Sequence, residues 1–273
     1  PLAVVGNILD KENGYLTLLS TATRRPIDIV ELSCPGARDA MFNMDDSKIF
    51  TTCQQEPKGM SVIDVKARKE IKMVPIKGGR AGGMDPQGKY FMVSASKSVH
   101  FFDSQTAEHV KTIKVPGGGG NFTCLKDGSK CYVGLRKANA VGVIDMAKLE
   151  LMKTIETGPD ANRLYLNPGN SRYGLFANES GKSDVVSIID TQKDVKVKDI
   201  WTGLGPHNVA FDPDGNFAVI STKKENVATL VDTASVDPND WDVITTDLDS
   251  GIQNNGVRWV PSPAALKKAL ARN

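Results

Sequence analysis

A short run of β-branched and aliphatic or aromatic residues ending in Asp returns along this chain at a nearly fixed interval. It occurs as Ser61-Val-Ile-Asp64, His100-Phe-Phe-Asp103, Gly142-Val-Ile-Asp145, Ser187-Ile-Ile-Asp190 and Thr229-Leu-Val-Asp232, with a degenerate copy at Thr17-Leu-Leu-Ser20. The interval is about 42 residues, and self-similarity at such a period is the mark of a repeat architecture. A second landmark keeps the same beat. Turn-forming residues fall at Asp45-Asp-Ser, Asp85-Pro-Gln-Gly88, Lys126-Asp-Gly128, Asn167-Pro-Gly-Asn170 and Asp212-Pro-Asp-Gly215. Asp, Asn, Pro and Gly supply the backbone geometry of a tight reversal between two strands.

Each unit therefore reads as strand, turn, strand, loop, strand ending in Asp, turn, strand. The last is clearest: Asn208-Val-Ala-Phe211, Phe217-Ala-Val-Ile-Ser221, Ala228-Thr-Leu-Val-Asp232 and a strand near Asp242-Val-Ile-Thr245. Four antiparallel strands per unit of about 42 residues predict an all-β fold, the β-propeller, with six four-stranded blades. The blades fall near residues 2–31, 35–75, 77–115, 117–156, 158–201 and 203–247, within one domain over 1–273. Residues 2–31 supply only three strands, whereas Asn255-Gly-Val-Arg-Trp-Val260 has the pattern of an innermost strand. Residues 255–260 are thus expected to complete the first blade and remove two sheet edges. Seven blades are the alternative and need one beyond this sequence. Ser262 followed by Pro263 and good helix formers predicts a short C-terminal helix over 262–272.

Composition narrows the function classes. The 25 Gly and 14 Pro are spread throughout, as many short elements require, and 40% hydrophobic residues can fill a core. A net charge of +2 gives no general attraction to nucleic acid or anionic membranes, and no apolar run approaches the roughly 18 residues of a membrane span. The sequence opens on Pro1-Leu-Ala-Val-Val-Gly without a leader pattern. A mature periplasmic or secreted chain is the expectation.

Gly205-Pro-His-Asn-Val-Ala-Phe-Asp-Pro-Asp-Gly-Asn-Phe-Ala-Val and the recurring Val-Ile-Asp endings resemble the YVTN-type, YncE-like bacterial β-propeller repeat, over essentially residues 2–260. The resemblance implies the propeller fold. It leaves function wide, because relatives include periplasmic binding proteins, lyases, propeller subunits of periplasmic redox enzymes and, more distantly, haem-d1 propellers.

In a propeller the loop leading into each innermost strand lies at one end of the central channel. Counting back four from the apolar residue before each hairpin turn gives Arg38, Arg80, Gly120, Asn162, His207 and Asn255, with Arg163 and Arg258 adjoining. This polar, locally basic row predicts a channel-mouth site for a small anionic ligand or a partner protein. Arg38 and Arg80 would be bidentate donors and His207 a general acid or metal ligand. Only His100 and His109 remain among the histidines; both read as structural or solvent-facing, and no histidine pair has metal spacing. No Cys-x-x-Cys, covalent-haem motif or nucleophile with an adjacent base is legible, so neither metal nor cofactor is expected. Gly117–Gly120 lies between strands and reads as a flexible connecting loop rather than a phosphate cradle.

Cys124 and Cys131 flank one hairpin, and Cys34 and Cys53 lie on the channel-mouth side of the second blade. The pairs Cys34–Cys53 and Cys124–Cys131 are close enough to form disulfides and would suit an oxidising compartment; the alternative for the hairpin cysteines is a buried thiol in the place of a small apolar residue. The leading expectation is a non-catalytic scaffold that binds a partner or small anion, within a periplasmic redox complex in one version. The alternatives are a lyase or hydrolase acting on a carboxylate or lactone, and a tetrapyrrole-binding propeller with His207 as axial ligand.

Overall fold

The computed structural model describes residues 2–7, 12–225 and 227–249. The strand expected at 255–260 and the helix expected at 262–272, with Asn255 and Arg258, lie outside the described residues. Blade one holds β1 (Leu2–Gly6), β2 (Gly14–Ser20) and β3 (Pro26–Leu32). Blade two holds β4 (Ala37–Phe42), β5 (Lys48–Cys53), β6 (Gly59–Asp64) and β7 (Lys69–Pro75), and blade three β8 (Ala81–Met84), β9 (Tyr90–Ser94), β10 (Ser98–Asp103) and β11 (His109–Lys114). Blade four comprises β12 (Phe122–Cys124), β13 (Lys130–Leu135), β14 (Ala140–Asp145) and β15 (Glu150–Glu156). Blade five comprises β16 (Ala161–Leu166), β17 (Tyr173–Asn178), β18 (Val185–Asp190) and β19 (Val195–Trp201), and blade six β20 (Pro206–Phe211), β21 (Phe217–Thr222), β22 (Val227–Asp232) and β23 (Asp242–Asp249).

Strand order in every sheet is chain order, a simple meander, giving one three-stranded and five four-stranded sheets among the described residues. This is the six-bladed β-propeller architecture that the repeat predicts. The chain groups into two compact units, residues 1–164 and 165–273. Among the described residues no helix is long and apolar enough to cross a membrane.

The recurring Asp has a local cause. It closes the third strand, and its Oδ1 accepts backbone N–H groups two or three residues on, both of them in three blades. Asp103 takes Gln105 at 2.9 Å and Thr106 at 2.8 Å, Asp145 takes Ala147 at 2.9 Å and Lys148 at 3.0 Å, and Asp190 takes Gln192 at 2.9 Å and Lys193 at 3.1 Å. Four residues after Asp64, Asp103, Asp145 and Asp190 the chain enters the left-handed region, at Arg68, Ala107, Leu149 and Asp194. The degenerate copy behaves alike: Ser20 Oγ accepts from Thr23 N at 3.2 Å, and Arg24 has φ 56°. Such Asx-type turns need only a short acceptor side chain at the right place.

Side chains alternating along these strands fill the space between neighbouring blades. In the first unit Leu16, Leu18, Ile49 and Ile63 pack between blades one and two, Phe50, Met60, Phe91 and Phe102 between two and three, and Phe101, Val133 and Ile144 between three and four. Phe50 and Phe91 stack with ring centroids 5.1 Å apart, both fully buried. Each such side chain contributes about 1.5–3 kcal/mol on burial. In the second unit Leu175, Ile188, Ile220 and Val231 form the corresponding layer with Trp241, whose indole N–H donates to Ser235 O at 2.8 Å.

Candidate functional site

The first strands of blades two and six carry the same irregularity. Between Arg38 and Met41, and again between Pro206 and Val209, the first strand advances three residues while its partner advances two. One extra residue in the strand is a β-bulge, which re-aims side chains and frees backbone groups. Hydroxyls of the second strand catch those groups. Arg38 O accepts from Thr51 Oγ1 at 2.7 Å and Thr52 Oγ1 at 3.2 Å, and Asn208 N donates to Ser221 Oγ at 3.2 Å. Asp39, inside the first bulge, sits at φ 49°, a costly conformation for a non-glycine residue.

In residues 1–164 the bulge aims Arg38 and Asp39 into a polar chain. Arg38 Nε pairs with Asp39 Oδ2 at 3.3 Å, and Asp39 Oδ2 also accepts from Gly82 N at 3.1 Å. Arg38 Nη2 donates to Asn121 Oδ1 at 3.2 Å, which fixes the Asn121 amide so that its Nδ2 donates to Asn162 Oδ1 at 3.0 Å. Arg80 Nη1 donates to Gly119 O at 2.8 Å. Arg136 Nη2 pairs with Asp160 Oδ2 at 2.5 Å. Beside this chain lies a cavity of about 260 Å³. Its wall includes Asp39, Asn121 and Arg163 as polar groups, and Met41, Phe122 and Cys124 as apolar ones.

The glycine run feeding this region is packed rather than flexible. A Cβ on Gly120 would lie 2.5 Å from Gly134 Cα, and one on Gly118 would lie 2.3 Å from Ala95 O. Those glycines are needed for close approach of backbones.

In the second unit the equivalent position holds His207. Its Nε2 lies 3.3 Å from Glu179 Oε1, the carboxylate that also pairs with Lys223 Nζ. Its Nδ1 lies 3.0 Å from Asn208 Nδ2, and Tyr165 OH donates to Asn208 Oδ1 at 2.5 Å. The phenol thereby orients the amide, the amide N–H points at Nδ1, and the remaining imidazole proton belongs on Nε2, facing Glu179. Glu179 is nearly buried, its side chain 9% exposed.

The strand arrangement has counterparts among solved structures. A chain of Kuenenia stuttgartiensis hydrazine synthase matches at TM-score 0.70 and 17% identity, over 92% of this chain and 84% of that one. A candidate 6-phosphogluconolactonase of Bacteroides fragilis matches at TM-score 0.70 and 16% identity, over 91% and 81%. A protein of unknown function from Desulfotomaculum acetoxidans matches at TM-score 0.66 and 14% identity, over 84% and 74%. The likeness is one of fold. No family model matches the chain, and no curated protein does.

Of the residues expected at the propeller's channel mouth, Arg38 and Asn162 are thus joined through Asn121, Arg163 lines the cavity beside them, and Arg80 is tied to Gly119. His207 has its own cluster in the second unit. Both cysteine pairs form disulfides, Cys34–Cys53 and Cys124–Cys131. Cys124 and Cys131 face each other directly across β12 and β13. Among the described residues no three His, Cys, Asp or Glu side chains gather as a metal-holding group.

Sequence reasoning passed over a second row. The residue just after the second strand of blades two, four, five and six is Gln54, Arg136, Glu179 and Lys223, and in blade three it is Ala95. In residues 1–164, Gln54 Nε2 donates to Arg80 O at 3.3 Å and Arg136 pairs with Asp160; in residues 165–273, Lys223 and His207 pair with Glu179. Their spacing from the repeat's landmarks varies by a residue or two, so what marks them is their place at the end of the second strand.

Proposed function

We propose that this chain is a non-catalytic binding propeller that accepts a small anionic ligand, a carboxylate in particular, in the cavity lined by Asn121 and Arg163. The observation carrying this reading is that the ionisable groups at the inner loops stand in fixed pairs: Arg38 with Asp39, Arg136 with Asp160, His207 and Lys223 with Glu179. Groups tied in this way hold a surface in shape, as selective binding requires. A cavity of about 260 Å³ lies just below the roughly 300–1,000 Å³ of drug-sized sites and suits a small metabolite or one acidic side chain of a partner protein. Two disulfides favour an oxidising compartment, periplasmic or extracellular. The repeat endings support kinship with YVTN-type propellers.

A hydrolase or lyase acting on a lactone or carboxylate is the second reading, favoured by the Glu179–His207 pair. Against it, His207 Nδ1 is engaged by Asn208 as Nε2 is by Glu179, which also opposes an axial-ligand role toward a tetrapyrrole. Thermal unfolding in the presence of a panel of small mono- and dicarboxylates tests the binding reading. At least one is expected to raise the midpoint of the parent chain and not of Arg163→Gln. Equal shifts in both, or none in either, remove the proposed site.

A further inference from the structure

His100 and His109 stand nine residues apart in sequence, and the hairpin of β10 and β11 brings them together. The register pairs His100 with Thr112 and Phe102 with His109, with a bulge between. That extra residue puts His109 and Thr112 on the same face of the sheet as His100, although three residues separate them along β11. Thr112 Oγ1 then lies 3.0 Å from His100 Nδ1 and 2.7 Å from His109 Nε2. Two imidazole nitrogens from adjacent strands converge on one oxygen.

The protons around this point are arranged for ligation. His100 Nε2 lies 2.9 Å from Ser98 Oγ, so the proton of the neutral ring can sit on Nε2 and donate to the hydroxyl, leaving the Nδ1 lone pair aimed at Thr112. A second hydrogen bond on the far nitrogen is the usual support of a metal-ligating histidine. His109 is exposed, with its ring edge-on to Phe102 at 5.5 Å between centroids; its Nε2 becomes a ligand when its proton moves to Nδ1. The two imidazole rings stand 6.2 Å apart between centroids, at 61° to one another.

We propose that His100 Nδ1 and His109 Nε2, with Thr112 Oγ1 or a water replacing it, form a surface site on the third blade for a divalent first-row transition metal. Cu(II) is the best match. Imidazole suits Cu, Ni and Zn, and a site with only two strong ligands ranks them by intrinsic affinity, which peaks at Cu(II). The remaining positions are filled by water, reached from the exposed side of His109.

The test is a CuCl2 titration of the metal-stripped full chain in a non-coordinating buffer, followed by a binding isotherm and electron paramagnetic resonance. His109→Ala and His100→Gln are run in parallel, and urea melts in chelator establish that each variant folds. The expected result is a Cu(II) bound with nitrogen hyperfine splitting from two imidazoles, and at least tenfold weaker binding in each folded variant. Unchanged affinity in His109→Ala, a single-nitrogen spectrum, or no binding below millimolar Cu(II) overturns the proposal. If His100→Gln does not fold, His109→Ala alone decides, because its side chain lies outside the core.

Discussion

Removing the carboxylate of Asp190 should cost far more than removing that of Asp232, although the two occupy the same place in the repeat. Asp190 is 3% exposed and accepts four N–H groups. Arg172 Nε and Nη2 reach Oδ2 at 3.2 and 2.8 Å, and the amides of Gln192 and Lys193 reach Oδ1 at 2.9 and 3.1 Å. Asp232 is exposed and accepts from Ala234 N at 2.9 Å. Breaking a buried ion pair costs about 3–5 kcal/mol, discounted here because the Arg172 side chain is 34% exposed and regains water. Asp190→Ala is accordingly expected to lose about 2–4 kcal/mol, and Asp232→Ala about 0.5–1.5 kcal/mol, the net worth of one ordinary hydrogen bond. Urea unfolding followed by circular dichroism, with disulfides intact, reads both.

Acid supplies a second axis. Burial alone would raise the Asp190 pKa, but Arg172 and the amides of Lys193 and Gln192 outweigh it and hold the carboxyl below its ordinary 3.8. A folded-state pKa below the unfolded one contributes stability in full above the unfolded value and loses it as pH falls through the folded value. The gap between parent and Asp190→Ala should therefore be constant from about pH 5 to 8 and shrink below about pH 4. If the two Asp→Ala variants differ by under about 0.5 kcal/mol, or the gap persists unchanged at pH 2, the assignment of that stability to the buried pair is wrong.

Gly120→Ala should destabilise by about 1–3 kcal/mol through backbone overlap with Gly134, whereas Gly119→Ala, whose Cβ would meet Arg80 Cδ at an ordinary 3.7 Å but sits at φ 95°, should lose about 1–2 kcal/mol from strain; thermal melts of the pair check the order. Under limiting dithiothreitol in the native state, mass spectrometry of alkylated peptides should find Cys124 and Cys131 modified before Cys34 and Cys53, because Cys124 is partly exposed while Cys34 and Cys53 are fully buried; the reverse order would contradict the burial. In metal-free buffer the His100 imidazole should titrate below 6.5 by NMR and move part of the way back in His109→Ala, since burial is the larger cause and remains. Asn121→Leu should destabilise by about 1–3 kcal/mol by leaving Asn162 and Arg38 without their shared partner in a part-buried site, and a neutral outcome in chemical denaturation would argue against the Arg38–Asn121–Asn162 chain.

The blades were legible because their signals are local or strictly periodic. Asp64, Asp103, Asp145, Asp190 and Asp232 end the third strands of their blades, as the repeat predicts. The three strands expected in residues 2–31 and the two cysteine pairs also follow from short-range spacing and fixed blade offsets. The loop at Gly117–Gly120 was harder, because glycine in a sequence signals either freedom or close approach. Here the neighbouring backbones of Gly134 and Ala95 make it the second.

The site was legible only as positions, not as states. Counting along the repeat picks out Arg38, Arg80, Asn162 and His207. It cannot say that Arg38 is neutralised by Asp39 or that Glu179 serves both His207 and Lys223. Nor can spacing alone reveal that a bulge turns His109 toward His100. What the sequence by itself determined is the repeating unit and its turns, since an Asp that caps amides two or three residues ahead needs nothing beyond its own segment. What only the tertiary structure decided is which charges are paired and which Asp is buried. Glu179 and Lys223 meet from 44 residues apart and Arg172 and Asp190 from 18, and even the neighbours Arg38 and Asp39 pair where their strand gains one residue; such pairings are set by how strands and sheets come together.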